Sequence, residues 1–174
     1  MTRPRHILFA FAAMLTAIAA PALAKPSPNA AALDAHYASL ETKDTTACFE
    51  FDTLDAKTRQ KHCEKALKQL DKARKAKRKA SIGEVSNFDY RQVSLQAGLS
   101  AAYAQQDRRI TQRSCKLVES SAAIRVRLKA IPESEVSESA YDVYQNPPAN
   151  FGKVIEMCRS EFGTPADAAP LPGA

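Results

Sequence analysis

The sequence predicts an all-α protein of about five helices in a small antiparallel bundle or helical-hairpin array, cross-linked by disulfides. Apolar residues recur at helical spacing along most of the 174-residue chain, and no segment shows the alternation that is typical of a half-buried strand. Four cysteines, an even number, lie on or near these apolar positions. We therefore expect a single helical domain over residues 30–162.

The first 24 residues have the pattern of a secretory signal peptide. Met1 to Arg5 carries two arginines, Ile7 to Ala20 is apolar, and Ala22-x-Ala24 is a small-residue cleavage pattern. The apolar run is shorter than the roughly 20 residues that a membrane-spanning helix needs. We expect cleavage after Ala24, a periplasmic or secreted location, and no transmembrane segment.

Both ends of the mature chain have compositions that favour disorder. Residues 25–29 are Pro-rich, which predicts a disordered linker, and residues 163–174 consist mainly of Gly, Pro and Ala, which predicts a disordered tail. A short first helix follows the linker, with Leu33, Tyr37 and Leu40 on one side. It is expected to end before a turn at residues 43–46.

A long second helix is predicted from about Leu54 to Lys79, with Asp52 or Thr53 as its cap and Gly83 marking the break after it. Past Ala73 there is almost nothing to bury, so we expect its last turns to project into solvent. Its apolar stripe comprises Cys63, Ala66, Leu67, Leu70 and Ala73.

Two further helices are predicted before Pro132. The third begins near residues 86–89, and the fourth is capped by Asp107 and ends at Pro132. The apolar side of the third carries Leu95, Leu99, Ala102 and Tyr103, and that of the fourth carries Leu117, Ile124, Leu128 and Ile131.

The C-terminal part predicts a short helix or turn at residues 137–144, which Asn146-Pro147-Pro148 cannot continue. The last helix is expected from about Pro148 to Phe162 and is closed by Gly163. Its apolar positions are Phe151, Val154, Ile155, Cys158 and Phe162.

The cysteines predict two disulfides, because an exported chain with four cysteines favours cross-links over free thiols. Three pairings are possible, and the residues alone leave all three open. We prefer the sequential pairing of Cys48 with Cys63 and of Cys115 with Cys158.

The strongest local feature is a stripe of lysines on the second helix, opposite its apolar stripe. Eleven basic residues between Lys57 and Lys79 stand against two acidic ones, so this segment carries more positive charge than the whole chain, whose net charge is +6. At 100° per residue the lysines fall within a band about 80° wide. They are Lys57, Lys61, Lys65, Lys68, Lys72, Lys75 and Lys79.

Two interpretations of this stripe remain open. It is either a solubilising face of a long helix or a binding face whose self-repulsion an anionic partner relieves. For an exported protein the candidate partners are membrane phosphates, lipopolysaccharide or an acidic protein surface. Nucleic acid is not expected, since the stripe lacks the interleaved aromatic residues on which bases stack.

No pattern for catalysis or for a cofactor is present. His36 and His62 are not spaced as a metal-binding pair, and Cys-x-x-Cys-His is absent. The five glycines are scattered, so they form neither a phosphate-binding loop nor a nucleophile elbow. We expect no enzyme activity, no metal and no cofactor.

Two segments resemble known families. Residues 99–107 and Cys63-Glu-Lys-Ala-Leu67 resemble parts of a tetratricopeptide-type repeat over residues 48–131. This resemblance implies antiparallel helical hairpins and protein binding, without site residues. Cys48, Cys63 and Leu70-Asp71 more faintly resemble small exported lysozyme inhibitors.

The expected function is that of a non-enzymatic periplasmic binding or accessory protein, which contacts an anionic envelope surface or protein through its Lys-rich helix face. The alternative is an inhibitor or immunity-type protein that binds a partner hydrolase. In that case the loops at Asn146-Pro147-Pro148 or at residues 81–87 would form the interface.

Overall fold

The structure, a computed structural model, describes residues 28–140, 151–166 and 168–169. Every regular element within these ranges is helical, which confirms the all-α fold. The elements are α1 (Pro28–Ser39), α2 (Lys43–Cys48), α3 (Ala56–Ala76), α4 (Ile82–Asp107), α5 (Gln112–Leu128), a 3-10 turn (Glu133–Glu135) and α6 (Phe151–Phe162). The predicted signal peptide and the Asn146-Pro147-Pro148 segment lie outside the described residues.

Helices α3, α4 and α5 form the centre of the fold and run antiparallel to their neighbours. Near one end of the α3–α4 pair Arg74 of α3 contacts Asp89 of α4, and near the other end Gln106 of α4 donates to Gln60 of α3. Helix α5 returns along α4, with polar contacts whose residue numbers run in opposite directions. Among the described helices, none is long and apolar enough to cross a membrane.

Three groups of buried apolar side chains hold the helices together. The first lies between α2, α3 and α4, the second between α1, α4, α5 and the 3-10 turn, and the third between α5 and α6. Their fully buried members include Cys48, Cys63, Leu95, Ala140 and Ile155. Apolar burial on this scale is the main favourable contribution to folding.

Both disulfides have the sequential pairing that the sequence analysis preferred. The bond between Cys48 and Cys63 joins α2 to α3, and that between Cys115 and Cys158 joins α5 to α6. Gly98 on α4 makes room for the first bond, because a Cβ atom at this position would lie 2.8 Å from the Cys48 sulfur. This close approach explains a glycine in the middle of a long helix.

The N-terminal boundaries differ from the prediction. Helix α1 begins at Pro28, inside the segment that was expected to be a disordered linker. Residues 43–46, expected to form a turn, belong to helix α2, whose N-cap is Thr42. This short helix forms because its Asp44 side chain is buried against α3 and its Cys48 is bound to Cys63, contacts that local sequence does not reveal.

The boundaries of α3 and α4 also differ. Asp55, rather than Asp52 or Thr53, caps α3 by accepting the backbone N–H groups of residues 57 and 58. Helix α4 begins at Ile82 instead of near residues 86–89, so Gly83 lies inside its first turn rather than between two helices. Reciprocal hydrogen bonds between Ser81 and Glu84 form a capping box that starts α4.

Asp107, predicted to cap the following helix, is the last residue of α4, and Thr111 caps α5 instead. Helix α6 ends at Phe162 as expected, and Gly163 after it has a positive φ of 84°. Part of the expected disordered tail packs on the fold, because Ala169 is buried and its carbonyl accepts a hydrogen bond from Arg159 of α6.

Candidate functional site

The lysine stripe lies on α3, and we call its six members within that helix the Lys face. Lys79, the seventh lysine of the predicted stripe, lies beyond the end of the helix at Ala76. All seven side chains are exposed. At 1.5 Å per residue the Lys face is about 27 Å long. Its members are Lys57, Lys61, Lys65, Lys68, Lys72 and Lys75.

The opposite side of α3 explains why this face is directed toward solvent. Cys63, Ala66 and Leu70 are buried there against α2 and α4, together with the side chain of Arg59. Because side chains of a helix keep a fixed angular spacing, burial of this stripe leaves the lysines on the far side. The face is therefore a consequence of helix periodicity and of the first disulfide.

A buried carboxylate lies along one edge of the Lys face. Asp44 of α2 is within 3.0 Å of the Lys65 ammonium group and 2.9 Å of His62 Nδ1, and it accepts a hydrogen bond of 2.8 Å from Gln69. Its side chain is only 7% exposed. The hydrogen bonds, first those of His62 and Lys65, lower the pKa of the Asp44 carboxyl to about 2.

A second buried carboxylate lies at the C-terminal end of α3. Arg74 is 2.8 Å from one oxygen of Asp89, and Arg127 of α5 is 3.5 Å from the other. The Arg74 guanidinium also lies over the ring of Phe88. Beyond the helix, Lys77 forms an ion pair with Glu84. The end of α3 is therefore attached to α4, which corrects the expectation that it projects freely into solvent.

Four of the six lysines of the Lys face differ from Lys65 and Lys75. Lys75 pairs with Asp71 one turn before it on the same helix. Asp44 pairs with Lys65. The other four lysines of the Lys face form no ion pair within the described part of the chain. These are Lys57, Lys61, Lys68 and Lys72.

Arg59 is a cation that the sequence analysis did not single out. It is completely buried, stacks 4.2 Å from the ring centre of Phe51 and donates to Gln105. Its Nε and Nη1 atoms have no acceptor among the described residues. Its position on the apolar side of α3, one turn before Cys63, was the only signal in the sequence that it would be buried.

The two histidines within the described residues, His36 and His62, make contacts that hold the helices together. His36 is 3.1 Å from the Asn87 amide and edge-on to Phe88, and burial, with the nearby charge of Lys77, lowers its pKa. His62 hydrogen-bonds to Asp44. No described hydroxyl group hydrogen-bonds to His62, so the described residues do not complete a Ser-His-Asp arrangement there. Among the residues that the structure covers, no three His, Cys, Asp or Glu side chains are grouped so that they could hold a metal ion.

A half-open cavity of about 440 Å³ lies between α5, α6 and the described residues that follow α6, among them Gly163, Pro165, Ala168 and Ala169. The second disulfide, Lys116, Phe162 and Ala169 form part of its lining. Glu119, which also lines it, makes a two-bond ion pair with Arg159, at 2.8 and 2.9 Å. Since this ion pair satisfies the charge of Glu119, the wall offers only Lys116 as an unpaired charged group within the described residues.

The segments expected to serve the inhibitor alternative have different outcomes. Asn146-Pro147-Pro148 lies outside the described residues. Residues 81–87, expected to be an exposed turn, begin α4 instead, and Ser86 and Asn87 within them are fully buried. Their burial is compatible with their polarity, because the Ser86 hydroxyl lies within hydrogen-bond distance of the Gly83 and Glu135 carbonyl groups and Asn87 donates to the Leu33 carbonyl.

No protein-family model matches this chain, and no curated protein or solved structure matches it.

Proposed function

We propose that this protein is a non-enzymatic, exported binding or accessory protein whose Lys face contacts an anionic surface of the cell envelope. One observation carries the proposal. Four exposed lysines in one band of a single helix lack an acidic partner among the described residues, while the buried carboxylates beside the band, Asp44 and Asp89, bind Lys65 and Arg74. Their positive charge is therefore available to a partner.

Export is part of this proposal. Its support is the signal-peptide pattern of residues 1–24, together with two disulfides that stabilise the fold. Disulfides form and persist in oxidising compartments such as the periplasm and are rare in the cytosol. In such a compartment phosphate groups of envelope lipids and acidic protein surfaces are available to a cationic helix.

The physical reason for an anionic partner is the mutual repulsion of the lysines. Like charges three or four residues apart destabilise a helix by a few tenths of a kcal/mol for each pair. An anionic surface reverses this effect, because each lysine near such a surface contributes about 1 kcal/mol of attraction. A face about 27 Å long brings several lysines to a flat surface at the same time.

The test is a comparison of two triple variants with the same loss of charge. Lys61→Gln/Lys68→Gln/Lys72→Gln removes charge from the middle of the Lys face. The control removes it from exposed lysines on other helices and loops. The control variant is Lys116→Gln/Lys129→Gln/Lys153→Gln.

Binding to vesicles that contain phosphatidylglycerol is measured by co-sedimentation over a range of salt concentrations. We expect the Lys-face variant to bind at least about tenfold more weakly than the wild type. The affinity of the control variant should fall by less than about threefold. Wild-type binding should weaken as salt rises, because the Debye length falls to about 8 Å at 0.15 M. Equal retention of both variants would reject the Lys face as the binding surface.

A further inference from the structure

Two exposed aliphatic side chains follow the basic residues that end at Lys79. Ile82 is 60% exposed and Val85 is 44% exposed, and both belong to the first turn of α4. Residues three apart on a helix share one side, so the two side chains form a small apolar pair on the surface. Exposed single aliphatic residues are common on proteins, whereas contiguous exposed apolar surface can mark an interaction site.

The apolar pair is held in its outward position by the other side of the same helical turn. A Cβ atom at Gly83 would meet the Leu33 side chain at 2.5 Å and the Glu135 carbonyl at 2.9 Å, so no larger side chain fits there. Asn87 donates to the Leu33 carbonyl over 2.8 Å. Since the inward positions are filled in this way, Ile82 and Val85 cannot be buried by rotating the helix.

Cations precede the apolar pair along the chain. Lys77, Arg78 and Lys79 precede it and are exposed, and Lys75 ends the Lys face one turn earlier. Lys77 binds Glu84. Arg78 and Lys79 make no ion pair within the part of the chain that the structure describes. Exposed basic residues therefore continue along the chain from the end of α3 to the turn that carries the apolar pair.

We infer that the α3–α4 turn docks on an anionic phospholipid bilayer, with Ile82 and Val85 entering the boundary between headgroups and acyl chains while the Lys face lies on the phosphates. This inference rests on the proposed function and names its partner. Lysine and arginine side chains with aliphatic residues beside them are the combination that binds at a membrane surface. An acidic protein or a soluble polyanion would attract the lysines but would not bury the apolar pair in acyl chains.

The first experiment separates the apolar contribution from the electrostatic one. Ile82→Ser/Val85→Ser is compared with Val126→Ser/Met157→Ser, a control that removes two other exposed apolar side chains, which are 41% and 56% exposed. Each variant is tested for binding to phosphatidylglycerol vesicles and to heparin, a polyanion without acyl chains. We expect Ile82→Ser/Val85→Ser to weaken vesicle binding about tenfold and to leave heparin binding unchanged. The control should change neither.

The outcomes distinguish the inference from the function on which it rests. Unchanged vesicle binding by Ile82→Ser/Val85→Ser, with heparin binding still dependent on Lys61, Lys68 and Lys72, would overturn the bilayer inference and leave the cationic face in place. Equal weakening of vesicle and heparin binding would also overturn the inference. If the wild type binds neither phosphatidylglycerol vesicles nor heparin, both proposals are overturned.

A second experiment measures insertion directly and does not depend on affinity. The chain contains no tryptophan, so Ile82→Trp introduces a single fluorescent reporter. On addition of phosphatidylglycerol vesicles we expect a blue shift of its emission and quenching by brominated acyl chains. Val126→Trp on α5 is the matched reporter and should show neither change. A reporter at position 82 that stays in water while the protein is bound would overturn the inference.

Discussion

On the Lys face, Lys61 and Lys68 extend into solvent without an acidic partner among the described residues, whereas Lys65 and Arg74 of the same helix bind the buried carboxylates of Asp44 and Asp89. The cations at the edge and end of the face join α3 to α2 and α4. Lys61 and Lys68 form no ion pair with any other described residue. Cations of one helix thus divide into a structural group and an available group, according to whether another helix brings a carboxylate to them.

The largest expected effect in this comparison comes from Asp89. Asp89→Asn removes the negative charge that Arg74 and Arg127 share at a site where the carboxylate is 8% exposed. Because both arginines remain partly in solvent, we expect a loss of about 2 kcal/mol in the free energy of unfolding, below the range for a fully buried pair. Urea unfolding followed by circular dichroism measures it.

Asp71→Asn is the control for Asp89→Asn, since it removes the exposed partner of Lys75. Its effect should stay within about 0.5 kcal/mol. Equal effects of the two substitutions would show that burial of the carboxylate does not separate the two groups of cations.

Asp44 provides the pH dependence of the structural group. Its pKa is lowered from 3.8 to about 2 by His62, Lys65 and Gln69, so the ionised carboxylate stabilises the folded chain above pH 4. This contribution is lost as the pH falls from about 4 toward about 2. We expect Asp44→Asn, which keeps the shape of the side chain but removes its charge, to lower the melting temperature at pH 7.

The difference in melting temperature between Asp44→Asn and the wild type should shrink over the same acid range. Thermal melts at a series of pH values test this, with Asp71→Asn as the reference for an exposed carboxylate. A difference that is constant from pH 7 to pH 2 would contradict the assignment of the hydrogen bonds to the ionised form.

Arg59 sharpens the comparison, because it is buried but has no carboxylate partner among the described residues. Replacement of a buried ion pair by apolar side chains of similar volume is often neutral or stabilising, because the charges no longer have to leave water, and Arg59 lacks even the attraction of a described carboxylate. We therefore expect Arg59→Met to leave the free energy of unfolding unchanged or to raise it by about 1 kcal/mol. Arg74→Met, which loses an ion pair, should lower it. A loss of more than about 2 kcal/mol for Arg59→Met would point to an unrecognised partner of the guanidinium.

The smallest effect on stability is expected on the Lys face itself. Lys61→Gln/Lys68→Gln/Lys72→Gln removes repulsion and breaks no ion pair between described residues, so the free energy of unfolding should rise by a few tenths of a kcal/mol. The same variant is expected to lose binding to anionic vesicles. If the variant is instead destabilised by more than about 0.5 kcal/mol, the lysines belong to the structural group.

Much of the fold could be predicted because helical periodicity is a local property. The apolar stripe of α3 was predicted from residue spacing, and its members Cys63, Ala66 and Leu70 are buried. The sequential disulfide pairing was a preference among three pairings that the residues left open, and the structure has it. The start of α4 was also within reach, since Ser81 and Glu84 have the spacing of a capping box. Gly83 was misread because glycine usually marks a break, whereas here it permits the close approach of Leu33.

The buried charges could not be predicted in the same way. Asp44 lies in the polar segment at residues 43–46, which is typical of a turn, and Asp89 lies in a segment that was taken for the start of a helix. Their burial depends on Lys65, Arg74 and Arg127, which other helices bring to them. The residues next to Asp44 and Asp89 in the sequence do not predict such contacts.

The sequence by itself therefore determined the helical fold class and the band of lysines on one side of α3, because both follow from the 3.6-residue period of a helix. Only the tertiary structure decided which cations are available, since that depends on carboxylates from α2 and α4. It also decided that Ile82 and Val85 face outward, because Leu33 and Glu135 fill the space on the other side of that turn. Both outcomes depend on contacts between segments that are distant in the sequence, and burial and electrostatics together determine those contacts.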